Sequence, residues 1–526
     1  MNTRRRLTLA AIAIATLAGA PLGATAVTVD PKHYPLVTKT DPRFQSYNVE
    51  MVEVSGGRFW APYPRDEGRK PGAASSASPA NAAFAMFSKR RPLDLNNPRL
   101  RNLAQALGPA YLRVSGAWAN STYFDDRDGP APASPPPGFQ GVLTRSQWAG
   151  VVAFARATGW KLVVSFPVSA GTRDPKGAWV PDQARSLIRF TRSLGGEIYA
   201  AELVNEPNVG SLVGLPVDYD PARFASDVTT LRGLVRVEAP RMKIVGPGTT
   251  GEAGYVLFPP HKGMMTTAEL MRAEPRPAFD IFSYHFYGTV SKRCSAMDRS
   301  AGIDPAQALT EAWLSRADTA FDYYARTQKE FAPGRPIWVT EIAEAACGGD
   351  SWAASFLDTF RYVDQMGRLA RRGLDVQFHN TLAASDYALI DDESLEPRPS
   401  YWAALLWSRL IGGRVLDAGP NQGDLHLYAH CLKSGRGGVA LVAINLGAAS
   451  GRVMQLSGSA QVYALTAPVL RGGLIDLNGH RLQATAAGRV PTITGNLSLS
   501  GRIDLAPLSI TFIALPRAGN RACRAT

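Results

Sequence analysis

At 526 residues the chain exceeds one ordinary domain, and a barrel of about 250 to 400 residues with a smaller companion would account for its length. The formal charge of +13 suits acidic partners, but Arg and Lys are scattered instead of forming a basic arm, so acidic polysaccharide is favoured over nucleic acid. Four cysteines and seven histidines lie without close spacing, which leaves no metal site to expect, and no cofactor is required.

The chain opens on Arg4-Arg5-Arg6, the apolar stretch Leu7 to Leu22, and Ala24-Thr25-Ala26 as a small-x-small cleavage site. Residues 1–26 therefore read as a signal peptide, with the mature chain starting near Val27. The stretch is short and diluted by Ala, Thr and Gly, so it does not suit a stable membrane span, and no later stretch is apolar enough to cross a bilayer. Thr3 to Leu7 also resembles a twin-arginine signal. A secreted or periplasmic protein follows, with no membrane attachment after cleavage. Without the three leader arginines the formal charge is +10.

Strand-like runs recur at Ser46–Val54, Ala110–Val114, Lys161–Phe166, Ile198–Val204, Met242–Val245, Phe279–Tyr284, Pro336–Thr340 and Leu374–Phe378. Between most of them lie helix-period segments, among them Pro98–Leu107, Ser146–Thr158, Gln183–Leu194, Pro221–Val237, Pro305–Lys329 and Trp352–Arg372. Eight alternations predict a (β/α)8 TIM barrel over residues 46–411, in the α/β class. Gly72–Ala83 and Asp128–Phe139 break the rhythm and read as surface loops after the first and second strands. After the helical run Tyr401–Ile411 the pattern changes to short alternating pieces, such as Leu425–His430, Gly438–Asn445 and Ser509–Leu515. These predict a smaller all-β sandwich over 412–526, to which residues 27–45 add a strand. Exported cysteines favour two disulfides. Of the three possible pairings the expected one is Cys294–Cys347, each after a barrel strand, with Cys431–Cys523 bracketing the last segment.

Two strand-like runs each deliver a glutamate to the point where the run stops: Ala201 to Pro207 carries Glu206, and Ile337 to Glu341 ends on the second. Barrels keep catalytic groups at those strand ends. Carboxylates facing each other at about 5 Å suit a retaining glycosidase, with Glu341 as nucleophile and Glu206 as acid/base. Asn205 can hydrogen-bond a sugar 2-hydroxyl. His285 and Tyr287 could stand near Glu341, the phenol holding it ionised. Glu344, three residues past the expected strand end, is a competing nucleophile placed in a loop.

These residues give the chain its resemblance to glycoside hydrolase family 79 of the clan A barrels, the heparanase and β-glucuronidase group. The resemblance rests on Pro109-Ala110-Tyr111-Leu112-Arg113 with Gly116, Asn205-Glu206-Pro207-Asn208, His285 with Tyr287, and Thr340-Glu341. It continues through Tyr387 to Asp391, Pro397 and Tyr401-Trp402. It implies a barrel with a β-sandwich, acid/base chemistry on Glu206 and nucleophilic attack by Glu341. It also implies uronate binding by Glu50, Gly348, Gly349 and Tyr387. Ala117 and Trp118 replace a threonine and a lysine of animal heparanases, and the glycine run is short, so the chain looks more like the bacterial single-chain members. Arg173, Lys292 and Arg293 follow barrel strands on loops expected to open at the catalytic face as solvated charges.

The implied activity is a secreted, monomeric, retaining β-glucuronidase acting on an acidic polysaccharide or glucuronide. Internal cleavage of heparan-sulfate-like chains and release of terminal glucuronic acid are its two forms, and the basic balance favours the polymer. The competing classes are a non-hydrolytic carbohydrate-binding protein and a clan relative acting on neutral sugars.

Overall fold

The computed structural model describes residues 26–63, 86–253, 264–295, 301–449 and 451–524. The expected leader lies outside them except for Ala26, and the loop at 72–83 lies outside them entirely. Eight parallel strands close a barrel: β1 (Gln45–Glu50), β2 (Tyr111–Ser115), β3 (Lys161–Ser165), β4 (Ile198–Glu202), β5 (Lys243–Thr249), β6 (Ile281–Val290), β7 (Ile337–Ala346) and β8 (Val376–His379). Each pairs with its neighbours in sequence, and β8 returns to β1 with Gln377 opposite Gln45. Strand alternation sorts the two faces. On β2, Leu112 and Val114 join the outer core beneath the helices, whereas Tyr111 and Arg113 point into the barrel. Tyr111, Val163, Ile281, Trp338 and Phe378 fill the lower interior, with the Tyr111 and Trp338 rings 4.8 Å apart. Above this apolar floor the interior turns polar, with Arg113, Glu202 and Glu341 buried there.

The helices around the barrel start and stop where local chemistry dictates. The helix Arg145–Thr158 begins on a capping box between Thr144 and Gln147 and ends at Gly159, in the left-handed region at φ 72°. Pro221–Glu238 starts on Asp220, whose carboxylate accepts from the Arg223 amide. Among the described residues no helix is long and apolar enough to cross a membrane.

Beyond the barrel, a nine-stranded sheet centred on Leu425–Leu432, Val439–Asn445 and Ser509–Leu515 faces a three-stranded one. Leu427, Leu441, Met454, Leu456, Ile503 and Ile513 pack between them. The N-terminal segment serves both sheets: Ala26–Val29 pairs with Arg452–Leu456, and Leu36–Lys39 pairs with Ile411–Leu416. Cys431 is bonded to Cys523 and Cys294 to Cys347.

Four expectations need correction. The run at Ser46–Val54 stops being a strand at Glu50, because Glu50 and Glu53 cap each other and start the helix Met51–Ser55. The helix expected over Pro305–Lys329 is interrupted: Pro305–Gln307 is one 3-10 turn, Glu311–Leu314 a short helix capped by Thr310, and Arg316–Phe331 the long piece. Ile411 starts a strand instead of ending a helix, since Gly412 and Gly413 follow it. Strands β6 and β7 run on together past their expected ends, pairing as far as Val290 with Ala346. Glu344 therefore sits on a strand, fully buried, and accepts from the Asp350 amide instead of lying in a loop.

Candidate active site

The barrel places Glu206 just past β4 and Glu341 within β7. The pairing of β6 with β7 slips between Tyr284 and His285, and that of β7 with β8 slips between Val339 and Ile342. Such a bulge re-aims a side chain: Trp338 and Ala343 both face inward although five residues apart, and Glu341 turns inward between them. Glu206 occupies the left-handed region at φ 52° and ψ 57°, unusual for a residue with a Cβ and typical of a site that fixes a side chain. Asn120 holds this geometry by gripping both the amide (2.9 Å) and the carbonyl (2.9 Å) of Asn205.

Single oxygens of Glu206 and Glu341 and a ring nitrogen of His285 all lie within 4.8 Å of one another. His285 Nδ1 is 2.9 Å from Glu206 Oε1 and 3.6 Å from Glu341 Oε2. Tyr287 donates to Glu341 Oε2 at 2.7 Å. Arg113 donates to Glu341 Oε1 (2.9 Å), Glu202 Oε2 (2.7 and 2.9 Å) and Asn205 Oδ1 (2.9 Å). With Asn205 Oδ1 thus occupied, the group it has left to offer a ligand is its NH2.

These contacts set the two carboxyls apart electrostatically. Burial pushes Glu341 upward, but His285, Arg113 and the Tyr287 hydroxyl outweigh it and hold the carboxyl below its ordinary value. Burial raises Glu206, and the Glu341 charge adds to that rise against the opposing pull of His285. The two shifts run in opposite directions, favouring the charged form of Glu341 and the protonated form of Glu206. Glu206, His285 and Glu341 could each offer a ligand atom to a cation, yet the Arg113 guanidinium already neutralises Glu341 at 2.9 Å and would repel a metal ion there.

Asn380 joins a second row of groups, donating to Glu50 Oε1 (3.1 Å), the Tyr287 hydroxyl (2.9 Å) and the Tyr387 hydroxyl (3.1 Å). Burial and the Glu341 charge push Glu50 well above the usual carboxylate range. Glu50 lies against Gly116, where a Cβ would stand 1.4 Å from Glu50 Oε2 and where φ is +87°. Gly116→Ala is thus expected to displace Glu50 and lower kcat/KM by about 10²-fold; unchanged turnover in a steady-state assay would show that Glu50 does not bear on the substrate.

A cavity of about 340 Å³ opens over these groups, lined by Glu50, Asn205, Glu206, Tyr287, Glu341, Asn380 and Tyr387 among others. Ala346, the last residue of β7, and Cys347 just after it also line the cavity. Gly348 and Gly349 pack behind them, against Trp60 and Tyr387 respectively. Arg173 and Arg293 are not solvated: each is buried in an ion pair, with Asp227 (2.6 Å) and with Asp386. Glu202, Asn380, Trp60 and Phe87 had no role in the sequence reading, and Arg113 entered it only as part of the family resemblance. For Arg113 and Glu202 a signal existed, a charged residue inside an apolar strand run.

A closed parallel barrel holding two carboxyls beneath one cavity, their pKa values pushed in opposite directions, is the arrangement of a glycoside hydrolase. The model of the glycosyl hydrolase family 79 N-terminal domain matches residues 87–367, and the chain belongs to that family. It is 28% identical over 492 residues to heparanase-like protein 1 of Arabidopsis thaliana, covering 82% of this chain and 86% of the relative. It is 24% identical over 472 residues to baicalin-β-D-glucuronidase of Scutellaria baicalensis, covering 81% and 84%. The fold is similar to that of a 4-O-α-L-rhamnosyl-β-D-glucuronidase from Fusarium oxysporum, with a TM-score of 0.62, 12% identity, and 93% and 100% of the two chains covered.

Proposed function

We propose that the protein is an exported, retaining β-glucuronidase. The observation that carries the retaining mechanism is the approach of Glu206 and Glu341 to within 4.8 Å. Retaining enzymes hold their carboxyls about 5–5.5 Å apart, whereas inverting ones leave about 6.5–9.5 Å for a water. Glu341, ionised, attacks the anomeric carbon as the bond to the leaving oxygen breaks, and Glu206 gives that oxygen its proton. A glycosyl ester on Glu341 results. Glu206, now a carboxylate, takes a proton from water, whose oxygen attacks the same carbon and releases Glu341. Asn205 offers its amide to the 2-hydroxyl.

The name of one relative, baicalin-β-D-glucuronidase, supports a glucuronide as substrate. So does the chemistry beside Glu341. A sugar carboxylate there would meet the Tyr387 hydroxyl as a neutral donor, and the upward shift of Glu50 disfavours its charged form and so lessens the repulsion.

An aryl β-glucuronide, compared with the matching β-glucoside, tests the reading. The glucuronide should be strongly preferred, and NMR of the first-formed sugar should show the β anomer; an α anomer, or preference for the glucoside, would refute it. Glu206→Ala is expected to lower kcat by about 10²–10⁴-fold. Azide should restore much of that loss and yield a β-glucuronyl azide, because the small anion needs no general base.

A further inference from the structure

The cavity is walled on one side by a two-stranded hairpin after β1. Gly57–Trp60 pairs antiparallel with Phe87–Arg90, setting Trp60 opposite Phe87. Their rings stack with centroids 4.7 Å apart, and Trp118, from the turn after β2, meets Trp60 edge-on at 6.0 Å. All three rings line the cavity.

The hairpin is fastened to the rim. Arg293 pairs with Asp386 and donates to the carbonyls of Ala61 and Gly349, its guanidinium lying 4.1 Å from the Tyr63 ring centre. The Tyr63 amide in turn donates to Asp386. Gly348 lies so close to Trp60 that a Cβ there would stand 2.6 Å from it, and Cys347 beside it is bonded to Cys294. Loops from β6, β7 and β8 thus hold the aromatic wall in place.

Barrel order points to which end of the substrate meets the hairpin. Around the ring, β1, which leads into the hairpin, stands three strands from β4, with Glu206 just past it. The acid must reach the leaving oxygen, so the departing group lies on the Glu206 side and the hairpin lies beyond the opposite edge of the sugar. On the departing side, Val209, Leu212 and Val213 line the cavity, and Leu212 is 58% exposed. None of the described residues lining the cavity is Lys or Arg.

We propose that the hairpin makes this enzyme an end-trimmer. Trp60, Phe87 and Trp118 block extension of the substrate beyond the reacting uronic acid, and the Val209–Val213 side takes an uncharged partner with an apolar face. This rests on the glucuronidase reading and adds the part of the glycan on which it acts.

The test compares two aryl β-glucuronides, one with a free 4-hydroxyl and one glycosylated there, as an internal chain residue would be. The wild type is expected to favour the free form by about 100-fold or more in kcat/KM, and Trp60→Gly to narrow that ratio at least about tenfold. Equal turnover of both by the wild type overturns the proposal while the glucuronidase reading stands. Turnover of neither removes the reading on which the proposal rests. If Trp60→Gly does not fold, the wild-type ratio still decides. A sulfated aryl leaving group should also be the poorer one compared with its uncharged parent; a preference for it would overturn the apolar assignment of the Val209–Val213 side.

Discussion

Glu341→Gln is expected to lower kcat for an aryl β-glucuronide by on the order of 10⁴-fold or more, because the amide cannot form the glycosyl ester. Binding should survive. The amide oxygen can still accept from Arg113, which donates to Glu341 Oε1 at 2.9 Å, and the amide nitrogen can turn to the Tyr287 oxygen, 2.7 Å from Glu341 Oε2. Calorimetric titration with the product should therefore give a dissociation constant close to that of the wild type. A 2-deoxy-2-fluoro glucuronide with a good leaving group should label the peptide that carries Glu341 in the wild type, as read by mass spectrometry. A label on any other acid, or undiminished turnover of the variant, would show that the nucleophile is wrongly assigned.

Arg113→Met should act on stability and on activity by one cause. Arg113 is buried between Glu202 and Glu341, its side chain 1% exposed. Its removal leaves two carboxylates without their cation, and breaking a buried pair in this way costs about 3–5 kcal/mol. Denaturant unfolding measures that loss. Activity should fall by about 10²–10³-fold, and its pH profile should move in a defined direction. Arg113 is among the groups that hold Glu341 below its ordinary value, so without it the carboxyl stays protonated to higher pH. The acid limb, where rate rises as Glu341 ionises, is thus expected to shift upward. The alkaline limb, set by deprotonation of Glu206, should move less, since Arg113 comes last among the influences on Glu206. A limb that stays in place would show that Arg113 does not hold the nucleophile charged. Adding Glu202→Gln to Arg113→Met should recover part of the stability, because one stranded charge is gone, but not the activity.

Much of the architecture could be read from the chain because parallel barrel strands are buried on both faces. The runs Lys161–Ser165 and Ile198–Glu202 are almost uninterrupted apolar text, and the helices between them carry their own caps. Glu206, Glu341, His285 and Tyr287 stand out because strand ends are where such a barrel exposes chemistry, and the structure gathers all four within hydrogen-bonding range of one another or of a shared partner. What escaped reading depends on register and distance. Glu344 looked like a loop residue because the joint extension of β6 and β7 arises from pairing between segments far apart in sequence. Asn380 sits just past β8, and nothing local foretells that Glu50, Tyr287 and Tyr387 converge on its amide. Arg293 read as a solvated charge since its partner Asp386 lies on another strand's loop.

The earliest strands of the described chain also place a demand on the order in which the polypeptide matures. Ala26–Val29 and Leu36–Lys39 find their partners only after residue 410, and Asn520 donates to the carbonyls of Pro31 and Tyr34. A ribosome delivers residues 26–39 before any of the barrel, and they must wait through the whole of it before their neighbours exist. Residues 26–39 and the segment after 410 are thus joined in one seam. A fragment beginning at residue 412 would lack the thread that closes it, and any loss at either extremity would be felt at the other.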